Sequence, residues 1–321
     1  MLDIEETFGA TEVIEVGGNK VLSLKGHFDN KAPGVGDQFL TEYRTYDRNY
    51  FDLRASKQKL SGSIAQAKVD FSPKNALDVG SGSGNSVFAL AELYPEVPII
   101  ASDLSPYMVS LVDERAVEFR CDNRVRSIVA NASAMKPKAC SFDLVVGSSM
   151  LHHLVDPRPM LENMLEALCP GGLAIFYEPL QAGYFIVRQA MLQILRERHH
   201  HAPLPDKLVA GLEIFILGIN VVSEEARLNP ILPHLDDKWL FTRKFFERAA
   251  DALGCKMYTQ ASDISSHAFR DKVKGLMRGV SPEGYVPPDW IEDILASYDE
   301  HIGPDLREEF AMESSLVFAK P

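Results

Sequence analysis

Between residues 76 and 177, short apolar runs alternate with segments whose apolar positions recur every three or four residues, which predicts strand and helix in turn. Residues 76–79 form an apolar run broken by Asp78 and closed by glycines, and Val87, Leu90, Ala91 and Tyr94 then share one helical face. Residues 98–104 read as a second strand. Ser105 follows as an N-cap and Pro106 as a first helical residue, with Met108, Val112, Ala116 and Phe119 facing inward. Two more strands are expected at 125–129 and 143–147. Asp156 and Pro157 open a helix carrying Met160, Leu161, Met164, Leu165 and Leu168; Pro170, Gly171 and Gly172 stop it, and 173–177 is a fifth strand. Such alternation predicts a doubly wound α/β fold, a parallel sheet covered by helices, with ligands at the carboxyl ends of its strands.

The alternation breaks at residue 180. Residues 180–239 and 263–312 are mostly helical in spacing. Between them Thr242 caps a helix bearing Phe245, Phe246, Ala249 and Leu253, followed by a strand at 256–260; a last strand is expected at 314–319. The division that results is an N-terminal arm and cap (1–72), a core (73–179), a helical lid insertion (180–239), core again (240–261), a second helical insertion (262–312) and a last core strand (313–321). The most apolar stretch, 208–222, is about 15 residues long with Glu213 inside it, short of the roughly 20 that cross a bilayer, so no membrane span is expected.

Charge narrows the function classes. In 321 residues, 33 Lys and Arg stand against 45 Asp and Glu, a net charge of −12, which repels a phosphate backbone and argues against nucleic acid as a partner. Cys121, Cys140, Cys169 and Cys255 include no CxxC pair, so they read as reduced thiols of a cytoplasmic protein, and the acidic opening MLDIEE lacks the basic start of an export signal.

The strongest chemical signal is DVGSGSG, Asp78 to Gly84, set between a strand and a helix, where glycines let a ligand approach the backbone. A dinucleotide turn would carry its third glycine where this chain has Asn85, which argues for a smaller ligand. Asp103 ends the second strand about 20 residues on, where a carboxylate can accept from both hydroxyls of an unphosphorylated ribose.

DVGSGSG is followed in order by SDLSPYMV, ANASAM, FDLVVGSSMLHHLVDP and LCPGGLAIFYEP. This series resembles the class I S-adenosylmethionine-dependent methyltransferases over residues 75–179, more weakly through FTRKFFERAADALG and the closing strand. The resemblance implies a seven-stranded, mostly parallel sheet whose last strand is antiparallel, and S-adenosyl-L-methionine as cofactor. It implies that Gly80, Gly82 and Gly84 line the methionine part, that Asp103 holds the ribose, and that Leu104 and Ala132 flank the adenine. Asp78, Ser81 and Ser148 join that cofactor set. Where the family often has an acidic residue for the adenine amino group, this chain has Asn131. Its side-chain oxygen can accept the same bond, or it is an ordinary turn residue.

Methyl transfer from a sulfonium is an in-line displacement, so alignment does most of the work, and a base helps when the acceptor is a hydroxyl. His152, His153 and Glu178, near the carboxyl ends of the fourth and fifth strands, are the catalytic candidates. The alternatives are a cofactor-side wall for the histidines and a salt bridge or helix cap for Glu178. His199, His200 and His201 are consecutive and cannot all face one metal, and no metal is expected. Phe39, Tyr43, Tyr46 and Tyr50 form an aromatic stripe at helical spacing that is either core or a cover over the site. Tyr43, Tyr50, Tyr184 and His234 are the acceptor-side candidates. The apolar insertion helices suit a hydrophobic pocket or a homodimer face. The reading is methyl transfer to a small, partly hydrophobic organic acceptor, at oxygen. The alternatives are N- or C-methylation of a specialised metabolite, or a non-catalytic binding or dimerisation protein of the same fold.

Overall fold

The computed structural model describes residues 3–28, 42–67, 70–226, 229–262 and 265–321. Phe39 of the aromatic stripe and Asp263 at the start of the second insertion lie outside them. The chain opens with α1 (Ile4–Phe8), capped by Asp3, whose side chain accepts from the Glu6 N–H, and with a hairpin of β1 (Thr11–Val16) and β2 (Asn19–Leu24). Gly17 and Gly18, both at positive φ, make the tight turn that matches the twist of its strands. Next come α2 (Tyr43–Tyr50) and α3 (Leu53–Gln66).

The alternating core follows as β3 (Ala76–Val79), α4 (Asn85–Leu93), β4 (Ile99–Asp103), α5 (Pro106–Glu118), β5 (Val125–Val129), β6 (Phe142–Ser148), α6 (Arg158–Ala167) and β7 (Leu168–Pro179). The Ser105 side chain caps α5 by accepting from the Met108 N–H at 3.3 Å. Two long helices, α7 (Gln181–Glu197) and α8 (Asp206–Val221), precede α9 (Arg243–Ala252) and β8 (Lys256–Ala261). Then α10 (Ala268–Val280), α11 (Asp289–His301) and α12 (Pro304–Glu309) lead to β9 (Glu313–Ala319).

Among the described residues, one sheet takes all nine strands in the order β1-β2-β5-β4-β3-β6-β7-β9-β8. From β2 to β7 neighbours run parallel, whereas β9 is antiparallel to both β7 and β8. Seven strands form the expected sheet with its antiparallel last-in-sequence strand, and the N-terminal hairpin adds two by pairing Ser23 of β2 with Val129 of β5. The hairpin was hard to foresee because β1 is largely exposed and shows little apolar alternation. β3 is buried along its whole length and sits where the strand order reverses, the crevice at which such sheets bind ligands. The sheet buries an apolar layer on each face.

Two local expectations change. β7 begins at Leu168 rather than after the glycines, because Leu168 already pairs with Phe142 of β6 across an irregular register. The same pairing brings Cys140 and Cys169 together as a disulfide, with Cα atoms 4.0 Å apart, so only Cys121 and Cys255 are free, buried thiols. The reading of four reduced thiols is corrected, and with it the thiol argument for a reducing compartment. Among the described residues no helix is long and apolar enough to cross a membrane; α8 buries Leu208 and Leu212 and leaves Ile214 and Leu217 exposed.

The two insertions pack on one another rather than on the sheet's crevice. Val187 and Met191 of α7, Leu212 of α8, Phe269 and Val273 of α10 and Leu295 of α11 share a separate apolar core. α8 and α10 cross closely at Gly211, where a Cβ would come within 2.5 Å of the Val280 side chain.

Candidate active site

A cavity of about 460 Å³ opens at the carboxyl ends of β3, β4, β5 and β6. Its floor is the glycine turn, with Gly80, Gly82 and Gly84 at φ of 67°, 51° and 92°, a backbone that an L side chain adopts only with strain. A Cβ on Gly80 would lie 2.7 Å from that of Met150, whereas one on Gly82 would meet nothing within 4 Å. Gly84 caps α4 without a side chain. The backbone there is close-packed beneath and open above.

Asp103 ties this turn to the next strand. Its Oδ2 accepts from the Gly82 N–H and its Oδ1 from the Ser105 N–H, each at 2.8 Å. Burial raises its pKa, against the pull of the Ser105, Gly82 and Leu104 N–H groups. The carboxylate keeps further lone pairs on the cavity side. Asp78, 1% exposed beneath the turn, is pushed up to about 8 by burial and then by the Asp103 charge.

Of the ten residues expected at the cofactor, Gly80, Ser81, Gly82, Asp103 and Leu104 line the cavity, as do Asn131, Ala132 and Ser148. Asp78 and Gly84 lie behind that wall. Asn131 serves the turn reading in part, since its Oδ1 accepts from the Ser133 N–H at 3.0 Å.

The N-terminal arm closes one side. Tyr46 and Tyr50, ring centroids 4.7 Å apart on α2, both line the cavity. Arg115 of α5 fixes this helix over the turn: it donates to both Asp47 oxygens and to the Ser83 carbonyl, and its guanidinium lies 3.6 Å from the Phe51 ring centroid. Asn85 adds a second tie, accepting from the Asp52 N–H and donating to the Tyr50 carbonyl.

The short 3-10 turn after β6 brings His153 to the wall beside Leu154 and Val155. Asp236 and Lys238 complete that wall from the loop before α9. Sequence patterning gave no sign of them, because they belong to no periodic element; Lys238 is 2% exposed and its N–H donates to the His152 carbonyl at 2.7 Å. Burial, then the neighbouring His152 charge, lowers the His153 pKa. Burial also opposes charge on His152, but the Glu178 charge and hydrogen bond outweigh it and raise that pKa.

Glu178 is not where an acceptor-orienting group would stand. Its carboxylate is buried, accepting from the Met150, Leu151 and His152 N–H groups at 3.0, 2.7 and 3.3 Å and pairing with His152 Nδ1 at 2.7 Å. It holds the turn that carries His153, so of the three catalytic candidates His153 alone lines the cavity. Three acceptor-side candidates are also elsewhere. Tyr43 stacks on Tyr107 at 5.1 Å, Tyr184 packs into the core of the helical insertions with Lys272 over its ring, and His234 is exposed. None of the four helices α7, α8, α10 and α11 contributes to the cavity wall. Their apolar faces satisfy one another instead.

A family model described as a methyltransferase domain matches residues 77–174. A demethylmenaquinone methyltransferase of Deinococcus radiodurans is 30% identical over 164 residues, 50% of this chain and 67% of that one. The chain belongs to the class I S-adenosylmethionine-dependent methyltransferase family. Another methyltransferase relative, the malonyl-[acyl-carrier protein] O-methyltransferase of Hahella chejuensis, is 30% identical over 177 residues, 55% of this chain and 60% of that protein. A solved structure from Galdieria sulphuraria, provisionally named a sarcosine dimethylglycine methyltransferase, shares the fold with a TM-score of 0.53 at 13% identity, over 87% of this chain and 97% of that one. The chain spans about a third to two thirds of the length of the curated relatives it matches.

The residues present fit the cofactor of the methyltransferase family. Asp78 Oδ2, Ser81 Oγ and Ser83 Oγ are buried without a hydrogen-bond partner, and a cofactor's ammonium and carboxylate would supply what such groups lack. Gly82 leaves its side of the cavity clear of any side chain.

Proposed function

We propose that this chain transfers the methyl group of S-adenosylmethionine to a small, partly hydrophobic organic acceptor, at oxygen. The observation that carries the reading is one continuous cavity that joins the glycine turn and Asp103 to a mixed polar and apolar end formed by Tyr46, Tyr50, Leu154, His153, Asp236 and Lys238. Bound there, S-adenosylmethionine supplies a methyl group on a positively charged sulfur. Asp103 would grip the ribose, Leu104 and Ala132 would flank the adenine, and Ser81 and Ser83 would face the amino-acid end with Asp78 behind them.

The chain's own contribution is alignment and exclusion of water. Tyr46 and Tyr50, pinned through Arg115, cover the cavity beside the turn, and a reacting pair held in line there gains several kcal/mol over one that meets by diffusion. An acceptor hydroxyl would be engaged at the His153 end. The O-methyltransferase name of the Hahella relative supports oxygen as the atom, and a net charge of −12 supports a partner other than nucleic acid. A homodimer through the α8 face bearing Ile214 and Leu217 goes with this reading, and sedimentation velocity on wild type and Leu217→Lys checks it.

Calorimetry should show binding of S-adenosylmethionine and its demethylated product, and an acceptor screen with a labelled methyl group should recover an O-methyl product. Binding of a nicotinamide dinucleotide in place of S-adenosylmethionine would overturn the cofactor reading. A labelled product methylated at nitrogen or carbon would overturn the choice of atom.

A further inference from the structure

His152 and His153 sit side by side in one turn, their ring centroids 4.2 Å apart. Asp237, on the loop returning from the first insertion, brings Oδ1 to 3.5 Å from His152 Nε2 and 3.6 Å from His153 Nδ1. Among the described residues this is the group of three His, Cys, Asp or Glu side chains whose ligand atoms converge, all within 4.8 Å of one another. Ligands held about 2.1 Å from a single ion stand roughly 3 to 3.5 Å apart, so the cluster needs only a small contraction to close on one.

The second observation lies behind His152. Its Nδ1 is paired with the buried Glu178 carboxylate at 2.7 Å, which keeps the proton on that nitrogen and turns Nε2 toward Asp237. A ligating imidazole backed by a buried carboxylate is the arrangement that fixes ring orientation and raises ligand basicity at metal centres. Local charge points the same way. Glu178, Asp236 and Asp237 lie beside the pair, and the Lys238 ammonium donates to the Asp236 carbonyl at 3.2 Å. That carbonyl oxygen accepts from His153 Nδ1 at 3.1 Å, a hydrogen bond and proton the nitrogen would give up to take the ion.

We propose that His152, His153 and Asp237 form a binding site for a divalent transition-metal ion at the acceptor end of the cavity. Two imidazoles and one carboxylate suit zinc and its first-row neighbours better than calcium or magnesium. Because His153 and Asp236 line the cavity, an open coordination position would face it, where an acceptor oxygen could bind. That last role rests on the oxygen-methylation reading; the binding of the ion does not.

The test uses the full chain, freed of metal with a chelator, loaded with S-adenosylhomocysteine and titrated with Zn2+ in a calorimeter, with Co2+ as a spectroscopic probe. One ion per chain at micromolar affinity or tighter is expected, with a Co2+ absorption spectrum showing nitrogen and oxygen ligands. Asp237→Ala, at an exposed side chain, should fold and bind S-adenosylhomocysteine as wild type does, yet weaken Zn2+ by roughly tenfold or more. Replacing His199, His200 and His201 together by Ala should leave Zn2+ affinity unchanged. Undiminished binding by Asp237→Ala, loss of binding in the triple variant, or no Zn2+ binding by a wild-type chain that binds S-adenosylhomocysteine would each overturn the site and leave the methyltransferase reading standing. A wild-type chain that fails to bind S-adenosylhomocysteine would instead overturn that reading. If chelation leaves O-methylation at its full rate, the ion has no part in engaging the acceptor.

Discussion

Two carboxylates under the glycine turn do different work. Asp103 accepts from two backbone N–H groups and still faces the cavity, so it shapes the turn and, in the proposed reading, would present an acceptor to the ribose. Asp103→Ala is expected to weaken S-adenosylmethionine binding by more than about tenfold, since two charge-assisted hydrogen bonds at roughly 1.5 to 3 kcal/mol each are lost. Calorimetry on the folded variant checks this, and an unchanged dissociation constant would move the ribose site elsewhere. Asp78 is held neutral by burial, its carboxyl pushed up to about 8. From about pH 4, where an unfolded aspartate ionises, to about pH 8, the folded protein keeps a proton that the unfolded chain has released, so this group makes stability fall as pH rises through that window. Asp78→Asn removes the titration. Urea midpoints near pH 5 and pH 9 should therefore diverge, the variant gaining on wild type by on the order of a few kcal/mol. Parallel profiles would show that Asp78 ionises normally in the fold.

Among the elements, α2 matters most, because it turns an open crevice into a covered one. It has no fully buried residue of its own, so its position depends on what reaches it from the neighbouring helices and the glycine turn. Arg115 is that contact, touching Asp47 of α2, Phe51 beyond it and Ser83 of the glycine turn, with both charged side chains largely out of solvent at 14% and 13% exposure. A partly buried pair of this kind, one guanidinium nitrogen reaching both carboxylate oxygens, is stronger than a surface ion pair and leaves an unpaired carboxylate when broken. Arg115→Met should accelerate S-adenosylmethionine dissociation by roughly tenfold, equivalent to about 1.4 kcal/mol. Hydrogen exchange across Tyr43–Tyr50 should speed up with it. Stopped-flow and exchange measurements test the pair together, and faster exchange with an unaltered off-rate would separate α2 from cofactor retention.

The whole molecule has two kinds of core. The sheet buries both faces under α3 to α6 and α9, while α7, α8, α10 and α11 close around an apolar interior of their own. The cavity wall is drawn from the first and from the N-terminal arm, with only the 236–238 segment arriving from the first insertion. Stability and cofactor binding should then separate. Phe269→Ala, at a position 2% exposed in the helical core, is expected to cost about 3 kcal/mol of stability while S-adenosylmethionine affinity stays within about twofold, as for sites that share no partners. Thermal melts and calorimetry on the same preparation check both halves. A large loss of affinity would mean that the helical core supports the cavity after all.

The alternating core was legible from sequence because its signals are local: period-two and period-3.6 apolar patterns, Ser105 as a cap, and glycines at 80, 82 and 84 that occupy positive φ. The expected cofactor residues on the turns after β3, β4, β5 and β6 are brought to one cavity for the same reason, since each follows directly from a strand end. What depends on contact between distant segments was decided by tertiary structure. Cys140 meets Cys169 only when β6 and β7 pair. Glu178, next to last in β7, stands in a position that reads as open to the crevice, yet its oxygens are taken by the backbone of the turn after β6. Tyr184 went into the helical core because four amphipathic helices found one another's apolar faces, and Asp236, Asp237 and Lys238 reached the site along a loop with no period to read. Apolar periodicity records which face a residue is buried on, but not which distant partner buries it, and at the His153 end of the cavity that partner decides which side chains line the wall.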